Sequence, residues 1–290
     1  MIDVHCHLNF HSFEKDYDQV IKKAFKAGVT KIINVGTKID SSKLAVEIAE
    51  KYENLYAIVG VHPHHTDKVP QGHPEFISGS RSRNKFGMTG KRLKNEDNWI
   101  DQLEVLARRP KVVAIGEIGL DYFFYKSNAI VDPKLQKKVF IQQIELAHKL
   151  KLPLPIHNRQ AGKDIIDILL NHKSYLVNPP GMFHCFAGNI EILKKVLDLG
   201  FYVGFDGNIT YSGLAPGEDT FLKDLVKYAP LDRVVVETDS PFLTPEPKRG
   251  SRNVPSYAII TGRAIAEIKG LDFEIINTKT TQNAIKLFNL

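Results

Sequence analysis

Two histidines stand at alternate positions near the start of the chain, in Met1-Ile2-Asp3-Val4-His5-Cys6-His7. Alternate residues of a strand face the same side, so both imidazoles would look one way. The commonest partner of paired imidazoles is a divalent metal. Later apolar runs end in further candidates: Gly60-Val61-His62-Pro63-His64-His65, Gly116-Glu117-Ile118-Gly119-Leu120-Asp121, Ile156-His157-Asn158-Arg159, Phe183-His184-Cys185-Phe186 and Val236-Glu237-Thr238-Asp239-Ser240-Pro241. A lone histidine at the end of a strand is more often a hydrogen-bonded structural residue. The signal is that six of eight apolar runs deliver a His or an acid at the same end.

Four histidines, one Glu and one Asp exceed what one tetrahedral ion needs. They suit two ions that share a carboxylate. The spacing along the chain assigns His5, His7 and Asp239 to the first ion, His157 and His184 to the second, and Glu117 to the bridge. Nitrogen and oxygen ligands together favour Zn, Mn or Mg over calcium. Two ions about 3.5–4 Å apart suit an in-line displacement and lower the pKa of water. Asp239 is the candidate proton acceptor in that step. Glu237 shares its strand parity and reads either as an orienter of a ligand or as half of a buried salt bridge. Arg159 and His62 are candidate contacts for phosphate oxygens, with Asn253 and Asp121 as further rim residues. His64 and His65 are expected to face solvent.

These side chains require a scaffold that brings distant strand ends to one mouth. Short, nearly continuous apolar runs fall at Ile2–Leu8, Lys31–Gly36, Tyr56–Val61, Val112–Gly116, Leu154–His157, Met182–Phe186, Phe201–Phe205 and Val234–Glu237. Such runs read as parallel strands buried on both faces. Amphipathic stretches of helical period alternate with them, and Ser41, Asn189 and Asp132-Pro133 read as helix starts. The pattern predicts an α/β protein: a single-domain (β/α)8 TIM barrel over residues 1–290, with an extra C-terminal helix over Phe273–Phe288. An open doubly wound sheet is the alternative. Barrel active sites lie at the C-terminal ends of the strands, where the candidates stand. One stretch breaks the rhythm, a long polar loop from Asp67 to Asn98 after the third strand, read as an inserted mobile connection.

Lys and Arg number 39 and Asp and Glu 33, a net charge of +6. Six basic residues and no acid fall between Ile77 and Asn95, so this one segment carries the whole excess. The remainder is balanced, which argues against a general nucleic-acid-binding surface. No apolar run is long enough to span a bilayer, and the first residues lack the order of a signal peptide. The expectation is a cytoplasmic monomer with no membrane partner. Cys6 and Cys185 are expected as small buried thiols rather than a disulfide.

Asp3-Val4-His5-Cys6-His7-Leu8, Gly60-Val61-His62-Pro63, Gly116-Glu117-Ile118-Gly119-Leu120-Asp121, Ile156-His157-Asn158-Arg159, His184-Cys185-Phe186-Ala187-Gly188, Glu237-Thr238-Asp239-Ser240-Pro241 and Arg252-Asn253-x-Pro255 together resemble the TatD family of metal-dependent deoxyribonucleases. The likeness runs over nearly the whole chain. It implies a TIM barrel of the amidohydrolase type, two divalent ions, and hydrolysis of phosphodiesters in DNA, often from the 3′ end. It carries the ligand roles onto His5, His7, Glu117, His157, His184 and Asp239. Two departures stand out: the long 67–98 insertion, and Ala187 where the family usually has serine. Within the insertion, His73–Ser80 and Asn84–Gly90 resemble translated palindromic repeats. Hydrolysis of a small ester, amide or lactone is the second reading, since fold alone does not fix function. A metal-bound nucleic-acid-binding scaffold without turnover is the third.

Overall fold

The computed structural model describes residues 1–69, 98–126 and 130–290. Strands and helices alternate through most of the chain: β1 (Ile2–Cys6), α1 (Tyr17–Lys26), β2 (Lys31–Val35), α2 (Ile39–Ala49), β3 (Leu55–Val59), α3 (Trp99–Ala107), β4 (Val112–Ile115), β5 (Ile118–Asp121), α4 (Pro133–Leu150), β6 (Leu154–Arg159), α5 (Gly162–Asn171), β7 (Gly181–Phe183), α6 (Ile190–Asp198), β8 (Tyr202–Phe205), α7 (Leu222–Tyr228), β9 (Val234–Val236), α8 (Ala258–Lys269) and α9 (Phe273–Phe288). All strand pairs are parallel, in the orders β1-β2-β3-β4 and β5-β6-β7-β8-β9.

Nine strands replace the expected eight because the fourth is interrupted at Gly116-Glu117, with β4 before the break and β5 after it. Gly116 lies against Pro155, where a Cβ would stand 2.9 Å from that residue's carbonyl oxygen. The two sheets join at both seams. On one side the Ile115 N–H donates to the Pro153 carbonyl at 3.1 Å. On the other, β1 meets the end of β9 through a Cys6–Ser240 bridge, with Asp239 N–H to His5 O at 2.9 Å and His7 N–H to Ser240 O at 2.8 Å. The ring thus has eight strand positions, the TIM-barrel arrangement.

Burial on both faces explains the apolar runs. One set of strand residues, including Ile33, Val35, Ile58, Met182, Tyr202 and Val235, forms a core cluster with Ala284, Leu287 and Phe288 of α9. The closing helix therefore plugs the floor of the ring. The other set, including Ile32, Ala57, Val59 and Ile156, packs under the surrounding helices. Between Asp3 and Cys6, β1 advances three residues while β2 advances two, from Ile32 to Asn34. This bulge re-aims the strand. Val4 belongs to the floor cluster, whereas the next residue, His5, belongs to the polar mouth.

Asn189 caps α6 by accepting the Ile192 N–H, and Asp132 caps α4 by accepting the Lys134 N–H. Ser41 is not a helix start: α2 begins at Ile39, and Ser41 reaches back to the Lys38 N–H at 3.0 Å. Most of the expected 67–98 loop lies outside the described residues. At its edges Pro63–Lys68 form a 3-10 turn and Asn98 caps α3. Among the described residues no helix is long and apolar enough to cross a membrane, and both cysteines are free.

Candidate metal centre

The six expected ligands converge. Glu117 is buried between two sets of imidazoles, and its two oxygens face different sets. Oε2 lies 3.4 Å from His5 Nε2 and 3.9 Å from His7 Nε2. Oε1 lies 2.7 Å from His157 Nδ1 and 3.6 Å from His184 Nε2. Asp239 completes the first set, with Oδ1 3.2 Å from His7 Nε2 and 3.9 Å from His5 Nε2. Asp239, three residues past β9, takes a positive φ of 52°, and its carboxylate faces the mouth.

A neutral imidazole offers one donor and one acceptor, so the partner of one nitrogen fixes the role of the other. His7 Nδ1–H donates to the Val35 carbonyl at 2.9 Å, so Nε2 is the nitrogen that faces Asp239. His184 Nδ1–H donates to Glu237 Oε2 at 3.1 Å, leaving Nε2 towards Glu117. His157 Nε2–H donates to Asp121 Oδ2 at 3.0 Å, and Nδ1 faces Glu117 Oε1 at 2.7 Å, so without a cation the ring holds both protons. Metal-ligating histidines are held in this way, with the second N–H on a carboxylate or carbonyl. His5 is fully buried with both ring nitrogens lacking a hydrogen-bond partner among the described residues. Such an orphan costs free energy unless something else binds it. The donor set fits divalent cations.

His62 also approaches Glu117, with Nε2 3.4 Å from Oε1. Its Nδ1 accepts the His64 N–H at 3.1 Å, so its proton sits on Nε2. A protonated nitrogen donates and does not ligate. Burial holds His62 down to about 4, with Glu117 opposing, so the ring is neutral. The structure thus separates His62, whose Nδ1 is spent as an acceptor, from His7, His157 and His184, each of which anchors one nitrogen as a donor outside and turns the other to the centre.

The remaining electrostatics follow from burial and pairing. Burial alone would raise Glu117, but the surrounding imidazoles, His62 and His184 first, hold it well below the usual carboxylate range. Burial would lower His157, but its bonds to Asp121 and Glu117 override this and bring it up to about 9. His184 is likewise raised against burial by Glu237 and Glu117. His5 has no such anchor and is lowered by burial and by His184, whose ring stacks on it at 3.6 Å between centroids.

Backbone clamps set the strand ends. On α4, Gln136 accepts the Asp121 N–H at 2.8 Å and donates to the Asp121 carbonyl at 2.9 Å. Gln143 does the same for Val61, at 2.7 and 3.0 Å. The two glutamines are seven residues apart and share a helix face. They fix the ends that carry Asp121 and His62.

Other expectations fare differently. Glu237 resolves as the carboxylate that holds His184 and the Cys185 N–H. Asn253 is fully buried and spends its amide on the Thr238 and Phe242 carbonyls at 2.7 and 2.6 Å. It fastens the turn behind Asp239 and does not reach the rim. His64 does not simply face solvent: its Nε2 is 2.9 Å from Asp121 Oδ2. Cys185 is only partly buried and, with Arg159 and His65, lines the cleft above the centre. Tyr125, missed in the sequence, bonds both Asp121 and Arg159, at 3.1 and 2.7 Å. It sits in an aromatic run whose pattern gives no sign of that role.

The cleft has a volume of about 1110 Å³ and is walled by the loops that follow most of the strands, from Phe10 round to Arg249. Residues 2–289 match the family model described as TatD related DNase. The chain is similar to the uncharacterized metal-dependent hydrolase YabD of Bacillus subtilis, 38% identical over 100% of this chain and 99% of that protein. It is 31% identical to the uncharacterized metal-dependent hydrolase YcfH of Escherichia coli, over 100% of this chain and 96% of that one. The crystal structure of YjjV, a TatD homologue from Escherichia coli, superposes with a TM-score of 0.80 at 28% identity, covering 100% of this chain and 98% of that one. A ligand set assembled at the mouth of a barrel, and a family match from end to end, lead to one conclusion: the chain belongs to the TatD family of metal-dependent hydrolases.

Proposed function

We propose that the protein hydrolyses phosphodiester bonds of DNA, working inward from a strand end with 3′ to 5′ polarity, with two divalent ions at the centre. The observation that carries this reading is the division of Glu117, one oxygen towards His5 and His7 and the other towards His157 and His184. A carboxylate placed so could be shared by two ions, which would suit the in-line displacement of a phosphodiester. The family model's description as a DNase supports the substrate class. The cleft of about 1110 Å³ over the centre has room for the end of a strand.

Ions held by His5, His7, Glu117, His157, His184 and Asp239 would supply Lewis-acid polarisation and an activated water. The side chains supply the rest. Asp239 accepts the proton of the attacking water, since its carboxylate is held ionised against burial by His7 and His184. His62 donates its Nε2–H to a phosphoryl oxygen. Glu237 and Asp121 keep His184 and His157 in the tautomers that face the centre.

The test is metal content together with substrate range. Purified protein should bind about two divalent ions per chain and release nucleotides from single-stranded DNA. Glu117→Gln should keep the fold, lose bound metal and lose at least about a hundredfold in rate. One ion per chain with full activity would overturn the paired-ion reading. Turnover of simple esters or lactones with DNA untouched would overturn the substrate.

A further inference from the structure

Arg159 lies on β6 two residues beyond His157 and lines the cleft. Its guanidinium stacks 4.0 Å over the Phe123 ring and 5.0 Å over the Tyr125 ring. Its Nη1 donates to the Tyr125 hydroxyl at 2.7 Å. That hydroxyl donates in turn to Asp121 Oδ2 at 3.1 Å. The polarity is forced, because a guanidinium only donates and a carboxylate only accepts. Asp121 Oδ2 also receives His157 and His64, at 3.0 and 2.9 Å.

Arg159 is therefore immobilised, yet among the described residues no carboxylate lies within salt-bridge distance of it. Glu218, across the cleft, feels its charge without pairing. A rigid and unneutralised arginine in a cleft is an anion receptor. It lies two residues further along β6 than His157, which touches Glu117. An imidazole, a carboxylate and a phenol stand in series between Glu117 and the guanidinium. Two residues of strand add a displacement of about 6.5 Å. A spacing of that order suits successive phosphates of one strand.

We propose that Arg159 binds the phosphate adjacent to the scissile one, and that Tyr125 is the positioning residue that holds it there. The inference rests on the phosphodiesterase reading and narrows its substrate to chains carrying at least two successive phosphates. Tyr125 suits that role because burial and Asp121 raise its pKa to about 12, so it keeps its proton to donate.

The experiment uses the full-length metal-loaded protein and the thymidine trinucleotide, which has two phosphodiesters. It is compared with trinucleotides in which one linkage is an uncharged methylphosphonate, both positional isomers being assayed. Bases and sugars are then constant. In the unsubstituted protein the KM of the hydrolysable isomer should exceed that of the trinucleotide about tenfold. In Arg159→Ala and Tyr125→Phe that gap should close to about twofold, with kcat moving less than KM. A second readout needs no turnover. In chelator, the salt dependence of trinucleotide binding should be shallower by about 0.7 in Arg159→Ala. A gap of unchanged size in both variants, or no gap in the unsubstituted protein, overturns the proposal. Failure of the unsubstituted protein to cleave any phosphodiester would sink the broader reading instead, and the salt slope would still report on the subsite.

Discussion

At Asp206 a carboxyl is fully buried, with one oxygen accepting the Asn208 N–H at 2.8 Å and the other lacking a hydrogen-bond partner among the described residues. Burial and the nearby charges of Glu237 and Asp239 raise its pKa to about 8. The folded state then holds a proton that the unfolded state, with a carboxyl near 3.9, has released. Between about pH 4 and pH 8 the folded chain binds more protons, so stability falls as pH rises through that window, by up to about 1.4 kcal/mol per unit. Asp206→Asn keeps the acceptor and removes the titration. Urea unfolding in chelator should show a pH slope in the unsubstituted protein that is flatter in the variant. At this scale the sequence was legible for the side chains that converge, since His and Glu at strand ends in such numbers point to one mouth. It was less so for residues that act through others. Tyr125, His64 and Asp206 are ordinary in type and spacing, and only the folded chain shows what they face.

Elements decide how finely the ligands are held. At Gly204 of β8 a Cβ would stand 2.6 Å from Glu237 Oε1 and 2.6 Å from the Met182 side chain. A side chain there displaces the carboxylate that fixes His184. Gly204→Ala should cost about 1–3 kcal/mol of stability from overpacking. It should also weaken metal binding about tenfold or more, as loss of a ligand's supporting partner does. Thermal melts and metal titration would check both. The α4 clamp is a second case. Gln143→Leu strands the Val61 N–H and carbonyl without partners, at about 1–3 kcal/mol each, and frees the segment bearing His62. Its expected signature is a lower Tm together with a raised KM. Neither device was readable in advance. A buried glutamine in an amphipathic helix looks like a polar position at the edge of its apolar face, and a strand glycine looks like a weak point. The alternation of strand and helix was readable because burial on both faces leaves continuous apolar runs. The split of the fourth strand was not, because the apolar run ends at Gly116 and nothing in the Glu117–Asp121 stretch marks it as a second strand.

For the molecule as a whole, α9 stoppers the floor of the ring with Leu287 and Phe288, each 3% exposed. Phe288→Ala should destabilise by about 3–5 kcal/mol, as deletion of a buried aromatic does. Because the same cluster includes Val4, the residue before His5, the loss should lower metal retention as well. Denaturant unfolding followed by metal analysis would measure the two together. The fold class was legible at this scale from the count of repeats, whereas the bulge that lets Val4 and His5 serve different layers was not.

His7 and Asp239 touch at 3.2 Å across 232 residues of sequence, along the seam where the first strand meets the last. During synthesis the leading strand leaves the ribosome long before its companion exists. A chain halted short of β9 lacks Asp239, one of the six converging side chains, and Glu237, the carboxylate that holds His184. The centre is therefore incomplete in any nascent chain that has not yet reached β9.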